Sequence, residues 1–127
     1  MSTRAQIRFA TRQAGQSFNE QPDVWHAQFY KHHDGYPEDL GVEIAESLVN
    51  SGSNYGVRGW EIEPLTYKHG DLEYIYYIWQ AQDKETYISI FRCNYHSPFP
   101  TNGEDFECIF VGLPLELTNK YLKHDRK

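Results

Sequence analysis

The sequence has few cysteines, no long apolar run and no dense cluster of basic residues. Its two cysteines, Cys93 and Cys108, are too few for the disulfide framework of a small secreted domain. No apolar run approaches the roughly 18 residues that a membrane-spanning helix needs. The first residues also lack the apolar core of a signal peptide. We therefore expect a cytoplasmic protein that does not enter a membrane.

Basic residues are scarce relative to acidic ones. The chain carries 12 Lys and Arg against 18 Asp and Glu, a formal net charge of -6 at pH 7. Binding to phosphates requires clustered Lys and Arg, and the densest cluster, at 120–127, fits a helix C-terminus with a solubilising tail. This balance argues against a nucleic-acid partner. It leaves open an acidic surface that mimics nucleic acid and inhibits another protein.

Aromatic residues, in contrast, are abundant. There are seven Phe, ten Tyr and three Trp among 127 residues, and each ring buries a large apolar area. The core is therefore larger than an apolar fraction of 39% suggests. The length fits one domain, residues 1–127, built around one core.

The periodicity of apolar residues predicts an α+β fold. The predicted strands cover 5–12, 24–31, 60–65, 72–82, 85–94 and 106–112, and the helices begin at Pro37 and Pro114. Loops are expected at 51–59 and 97–105. The order β-β-α-(β)-β-β-β-α predicts an antiparallel sheet of about five strands, with the main helix and a short C-terminal helix packed on one face.

The segment that begins at Pro37 has the pattern of an amphipathic helix. Proline fits a first helical position, and Leu40, Ile44 and Leu48 repeat at four-residue spacing on one face. Gly41 lies beside this apolar stripe. Because it has no side chain, we expect the helix to lie close against the sheet.

Two of the predicted strands differ in where they should lie. The segment 72–82 is apolar on both alternating faces, which predicts a central strand. Two short helices can cover only one of these faces, so we expect a partner chain over the other, aromatic face. The segment 60–65 contains Pro64, which predicts an edge position. On its polar face, Glu61 and Glu63 form a pair that is also a candidate for acid/base chemistry.

One short segment, FYKHHDGYPED at 29–39, concentrates polar residues where a strand gives way to a helix. It resembles a segment of small proteins from phages, prophages and other prokaryotic genomes, in which a tyrosine and a histidine at a strand end precede Asp-Gly-Tyr-Pro and a helix. The matching residues are Tyr30, His32 or His33, Asp34, Gly35, Tyr36 and Pro37. The resemblance implies an origin in a mobile element, and it implies no established activity, cofactor or catalytic residue.

The same segment has a structural and a functional interpretation. Structurally, Asp34 and Gly35 form a turn in which glycine takes positive φ, and Tyr36 is extended because a proline follows it. Functionally, loops on a rigid scaffold often bind ligands. The candidate binding loop comprises Tyr30, His32, Asp34, Gly35 and Tyr36.

A metal-dependent hydrolase or nuclease is the alternative function. Imidazole and carboxylate groups suit divalent transition metals, and the candidate catalytic or metal-binding residues are His32, His33, Asp34, His69 and His96. Adjacent histidines on an extended segment point to opposite faces, so only one of His32 and His33 would join such a site. No metal-binding sequence motif is present. We therefore expect no metal and no cofactor.

These observations favour a non-catalytic protein-interaction or regulatory module. The excess of aromatic residues on strands that are apolar on both faces indicates a protein partner or self-association as a homodimer.

Overall fold

The computed structural model confirms the α+β class. It describes residues 3–12, 17–22, 24–49, 60–67, 72–81, 83–93 and 106–121. The strands are β1 (Ala5–Thr11), β2 (Val24–Lys31), β3 (Trp60–Glu63), β4 (Tyr74–Gln80), β5 (Thr86–Cys93) and β6 (Phe106–Gly112). A π-helical turn (Pro37–Gly41) leads into helix α1 (Val42–Val49), and helix α2 is Pro114–Tyr121.

The six strands form one sheet in the order β3-β2-β1-β4-β5-β6. Four of the five neighbouring pairs are antiparallel, and the central pair of β1 and β4 is parallel. The sequence did not predict this parallel pair. β2, α1 and β3 lie between its two strands in the chain, so β4 enters the sheet beside β1 in the same direction.

Both helices pack on one face of the sheet, as predicted. Leu40 and Ile44 are buried there against Tyr76 and Ile90 in the larger of two apolar clusters. Gly41 lies where a Cβ atom would be 3.4 Å from Leu117 and 3.5 Å from Tyr76. The helix therefore lies close to the sheet at Gly41, as the sequence predicts, but these distances are ordinary van der Waals contacts that would also accommodate a Cβ atom.

The other face of β4 is covered within the single chain, so its aromatic residues need no partner to be buried. Trp79 is 3% exposed and Tyr77 is 1% exposed within the single chain. The segment before β2 folds back over this face, because the Phe18 ring packs edge-on against Trp79 at 5.2 Å and Gln21 accepts a 2.6 Å hydrogen bond from the Tyr77 hydroxyl. Arg12 fixes the segment by donating to three of its carbonyl groups.

Some predictions concern residues outside the described ranges. These are the loops at 51–59 and 97–105, His69, His96 and the basic tail after Tyr121. Within the described ranges, no helix has the length and apolar character needed to cross a bilayer.

Candidate interaction site

The segment between β2 and the π-helical turn is anchored next to the start of β1 through Gly35. Its N–H donates to the Thr3 carbonyl at 3.0 Å, and its carbonyl accepts a 2.7 Å hydrogen bond from the Tyr76 hydroxyl. A Cβ atom at Gly35 would lie 2.9 Å from both Ala5 Cβ and the Thr3 carbonyl oxygen. Only glycine fits this contact without displacing the start of β1.

The left-handed residue of this turn is Asp34, with φ 59°, rather than Gly35 as the sequence predicted. Aspartate is among the few residues that adopt this conformation readily. Gly35 is therefore needed for its lack of a side chain, and Asp34 supplies the change of chain direction. Tyr36 is extended, with ψ 150°, and Pro37 begins the helical turn, as predicted.

Tyr76 is the buried donor that holds this turn to the sheet. It is fully buried, and burial raises the pKa of its hydroxyl well above the ordinary value of 10.0. The hydroxyl group therefore stays protonated at neutral pH and donates to the Gly35 carbonyl. The turn is fixed from two sides, by β1 and by β4.

A Tyr76→Phe variant is expected to lose about 1 to 2 kcal/mol of unfolding free energy at neutral pH, because it leaves the Gly35 carbonyl without its donor. Since the folded-state pKa of Tyr76 is raised, its contribution is complete below pH 10.0 and falls as pH rises further. The stability difference between wild type and variant should narrow at about pH 11. Urea denaturation at neutral pH and at about pH 11 measures this difference in unfolding free energy. A difference that widens at the higher pH would contradict the role of Tyr76 as the donor to Gly35.

His32 and His33 lie together at the surface, contrary to the expectation that they point to opposite faces. Their ring centroids are 4.4 Å apart in an edge-on contact. β2 ends at Lys31, so these two residues no longer follow the alternation of a strand. The Tyr30 hydroxyl lies 3.1 Å from His32 Nδ1. The structure thus brings Tyr30, His32 and His33 into one ring cluster.

The described residues add no metal-binding side chains to this ring cluster. Within the described ranges, no group of three or more His, Cys, Asp or Glu side chains is placed to hold a metal ion. His26 contacts Thr11 at the other end of β2, about 20 Å away by strand length. Cys93 is buried in the core. The candidate ligands His69 and His96 lie outside the described residues.

Asp34 belongs to a different surface, an open groove of about 440 Å³ beside α1. The groove is lined by Lys31, Asp34, Glu38, Asp39, Leu40, Val42, Glu43 and Glu46. Five carboxylates face a single ammonium group, and the Lys31 ammonium lies 4.0 Å from the Glu43 carboxylate. Acidic residues therefore predominate among the residues that line the groove.

Ile62, in the edge strand β3, is the most exposed of the large apolar residues in the described ranges. Ile62 is 78% exposed, and no described strand pairs with the outer side of β3. Leu65 and Tyr67, in the turn that follows, are also exposed. We call Trp60–Glu63 together with the turn 64–67 the β3 edge. It presents exposed apolar side chains on a strand that has no described outer neighbour, which is a usual feature of a strand-docking surface.

The turn of the β3 edge is held by two buried glutamines. The amide nitrogens of Gln6 and Gln28 each donate to Glu63 Oε1 at 3.0 Å. The same two amides donate to the Tyr67 carbonyl, at 3.1 Å and 3.0 Å. Both glutamine side chains are completely buried. Because buried polar groups with full hydrogen bonding rigidify their surroundings, the exposed residues of the β3 edge are presented on a fixed support.

Arg8 in turn orients these glutamines. Its guanidinium donates to Gln28 Oε1 at 2.9 Å, to Gln6 Oε1 at 3.0 Å and to the Tyr77 hydroxyl at 2.7 Å. The guanidinium carbon lies 4.0 Å from the centre of the Trp25 ring, and Arg8 is only 8% exposed. Both amide oxygens face Arg8, so both amide nitrogens must face the turn.

Sequence reasoning did not single out Ile62, Leu65 or Tyr67. The available signal was Ile62 between Glu61 and Glu63, in a segment that Pro64 ends, which marks a short edge strand with an apolar side chain between two acidic ones. Glu61 and Glu63 do share a face, opposite Tyr30 and Gln28. Glu63 is occupied by the two glutamines, whereas Glu61 is exposed.

Comparisons with protein-family models, with curated proteins and with solved structures find no match to this chain.

Proposed function

We propose that this protein is a non-catalytic protein-interaction module whose partner binds at the β3 edge. The observation that carries the proposal is the 78% exposure of Ile62 on a strand with no described outer neighbour. Leaving an isoleucine in water forgoes roughly 1.5 to 3 kcal/mol of burial energy. A rigid support makes this exposure useful for binding, because little conformational freedom is lost when a partner covers it.

The β3 edge supports this function better than the ring cluster of Tyr30, His32 and His33 does. The contacts of Gly35 with Thr3 and Tyr76 explain the geometry of that loop without a ligand. The β3 edge, in contrast, presents Ile62, which no contact among the described residues buries.

An Ile62→Lys variant is expected to lose the partner and keep the fold. Tagged wild-type protein is incubated with a lysate of the cells that encode it, and the bound proteins are identified by mass spectrometry. A protein enriched by the wild type should be absent with Ile62→Lys, because the added charge cannot be buried in the interface.

Leu115→Lys is the matched control. Leu115 is 64% exposed and lies on α2, far along the sheet from β3. This variant should retain the partner fully, and circular dichroism should show both variants to be folded. Equal capture by wild type and Ile62→Lys, or no enriched protein at all, would contradict the proposed function.

A further inference from the structure

We infer that residues 17–22 control how firmly the turn 64–67 of the β3 edge is held. We call residues 17–22 the strap, because they lie across the face of the sheet opposite the helices. The strap and the turn lie at opposite ends of one hydrogen-bonded network, so displacing the strap should loosen the turn. As regulation of partner binding at the β3 edge, this control rests on the proposed function.

The strap is held on the sheet mainly by Arg12 and Phe18. Arg12 donates to the carbonyl groups of Ser17, Phe18 and Glu20 at 2.6, 2.8 and 2.7 Å. The Arg12 guanidinium carbon lies 4.6 Å from the centre of the Trp79 ring, against which the Phe18 ring also packs. All four residues from Ser17 to Glu20 are exposed. Because it buries little apolar surface, the strap should open at a lower free energy than the strands beneath it.

The Tyr77 hydroxyl joins the strap to Arg8. It accepts a 2.7 Å hydrogen bond from Arg8 Nη1 and donates a 2.6 Å hydrogen bond to Gln21 Oε1. A phenol has one hydrogen and a guanidinium can only donate, so the hydrogen of Tyr77 points to the strap. Displacing the strap takes this acceptor away. The hydroxyl group must then turn to another acceptor, because a buried donor without one is unfavourable.

Arg8 connects this hydroxyl group to the turn through two glutamines. The same guanidinium donates to the side-chain oxygens of Gln6 and Gln28, whose amide nitrogens hold the Tyr67 carbonyl. Hydrogen bonds in such a chain strengthen one another, so the loss of one weakens its neighbours. A Tyr77 hydroxyl that turns to either glutamine oxygen competes with Arg8 for it. The hold of that glutamine on the turn is then weaker.

Trp25 makes the turn depend on Arg8 a second time. The Arg8 guanidinium carbon lies 4.0 Å from the centre of the Trp25 ring, and the Nε1–H of that ring donates to the Leu65 carbonyl at 3.1 Å. A cation is attracted to an aromatic face, so the two groups favour one relative position. A shift of the guanidinium therefore acts on the Leu65 and Tyr67 carbonyl groups together, and the turn should loosen as a unit.

Amide exchange of Tyr67, measured by NMR on isotope-labelled protein, reports the state of the turn. Its N–H donates to the Pro64 carbonyl at 3.1 Å and closes the turn. Phe18→Ala removes the ring that holds the strap, and we expect it to raise Tyr67 exchange at least about threefold. The Leu117 amide, which donates to the Leu113 carbonyl at 3.0 Å, reports on α2. Its exchange should change by less than about 1.5-fold, which separates loosening of the turn from a general loss of stability.

Gln21→Ala breaks the network at the strap itself. It removes the oxygen that accepts from Tyr77, so it should also raise Tyr67 exchange at least about threefold. In a Tyr77→Phe background, the oxygen that connects the strap to Arg8 is already absent. Adding Phe18→Ala there should change Tyr67 exchange by less than about 1.5-fold.

Leu115→Ala is the matched control, because it removes another exposed apolar side chain, on α2. It should leave Tyr67 exchange within about 1.5-fold of the wild-type rate. An unchanged rate in Gln21→Ala, or an undiminished rise when Phe18→Ala is added to Tyr77→Phe, would overturn the inference. Gln21→Ala decides the question even if the Tyr77→Phe protein does not fold.

Partner capture separates this inference from the proposed function. Phe18→Ala should retain at most about a third of the protein that Ile62→Lys loses, and Leu115→Ala should retain all of it. If Tyr67 exchange responds to the strap but no protein is captured, the coupling stands and the proposed function fails. If capture depends on Ile62 but neither Tyr67 exchange nor capture responds to the strap, the inference is overturned and the proposed function stands.

Discussion

Replacing Arg8 by alanine is expected to lower the free energy of unfolding by about 3 to 5 kcal/mol. The change removes three hydrogen bonds and the packing of the guanidinium on Trp25. It leaves two buried amide oxygens without donors, and each such group costs about 1 to 3 kcal/mol. Urea or thermal denaturation followed by circular dichroism measures the loss.

Arg92→Ala is the control for this prediction. Arg92 donates to the Glu107 carboxylate at 3.3 Å across β5 and β6, and both side chains are about half exposed. An exposed pair of this kind contributes less than about 1 kcal/mol. A loss for Arg8→Ala that is no larger than that for Arg92→Ala would show that Arg8 does not organise the buried polar network.

The loss of Arg8 should also disturb the β3 edge. The amides of Gln6 and Gln28 would be free to rotate, so their hydrogen bonds to Glu63 and to the Tyr67 carbonyl would no longer be fixed. In a preparation of Arg8→Ala that is still folded, amide exchange at 63–67 should be faster than in the wild type.

Gly35→Ala is expected to lower the free energy of unfolding by about 2 to 3 kcal/mol. The added methyl group would lie 2.9 Å from a backbone oxygen and from Ala5 Cβ. Neither of these atoms can move without displacing β1, and overpacking of this kind costs about 1 to 3 kcal/mol or more.

Gly41→Ala provides the comparison. Its added Cβ would be at least 3.4 Å from its neighbours, which are the ends of side chains. Replacing a helical glycine by alanine also stabilises the helix by up to about 1 kcal/mol. The free energy of unfolding of Gly41→Ala should therefore lie within about 1 kcal/mol of the wild-type value. Equal losses of unfolding free energy in Gly35→Ala and Gly41→Ala would contradict the close contact at Gly35.

Much of the fold could be predicted from local pattern. β2 and β6 occupy the ranges that their strand-forming residues indicate, and Pro64 correctly places β3 at an edge. Pro37 begins the helical segment, as expected. In each case the information lies within a few neighbouring residues, because propensity and side-chain alternation are local properties.

The parallel pairing of β1 with β4 and the burial of Arg8 could not be predicted in this way. In β1 the polar residues Gln6 and Arg8 lie on one face of the alternating strand, a pattern that by itself favours exposure to water. That face is in fact buried, because the partners of Arg8 come from 20 and 69 residues away, at Gln28 and Tyr77. Only the completed sheet brings these polar groups together.

The candidate site expected from the sequence differs from the one that the structure favours for a similar reason. Sequence reasoning favoured the loop with Tyr30, His32 and Asp34 because its residues are chemically versatile. The structure separates Asp34, in the acidic groove, from the rings of Tyr30 and His32. It also gives the β3 edge an exposure and a support that no short motif encodes.

Site-specific photo-crosslinking tests most directly whether the β3 edge is the interaction surface. A photoreactive amino acid is placed at position 62, at position 115 or at position 33, and the protein is irradiated in a lysate of the cells that encode it. We predict a discrete crosslinked product from position 62 that is absent from positions 115 and 33. A product from position 33 without one from position 62 would place the binding surface at the histidine loop and contradict the proposed function.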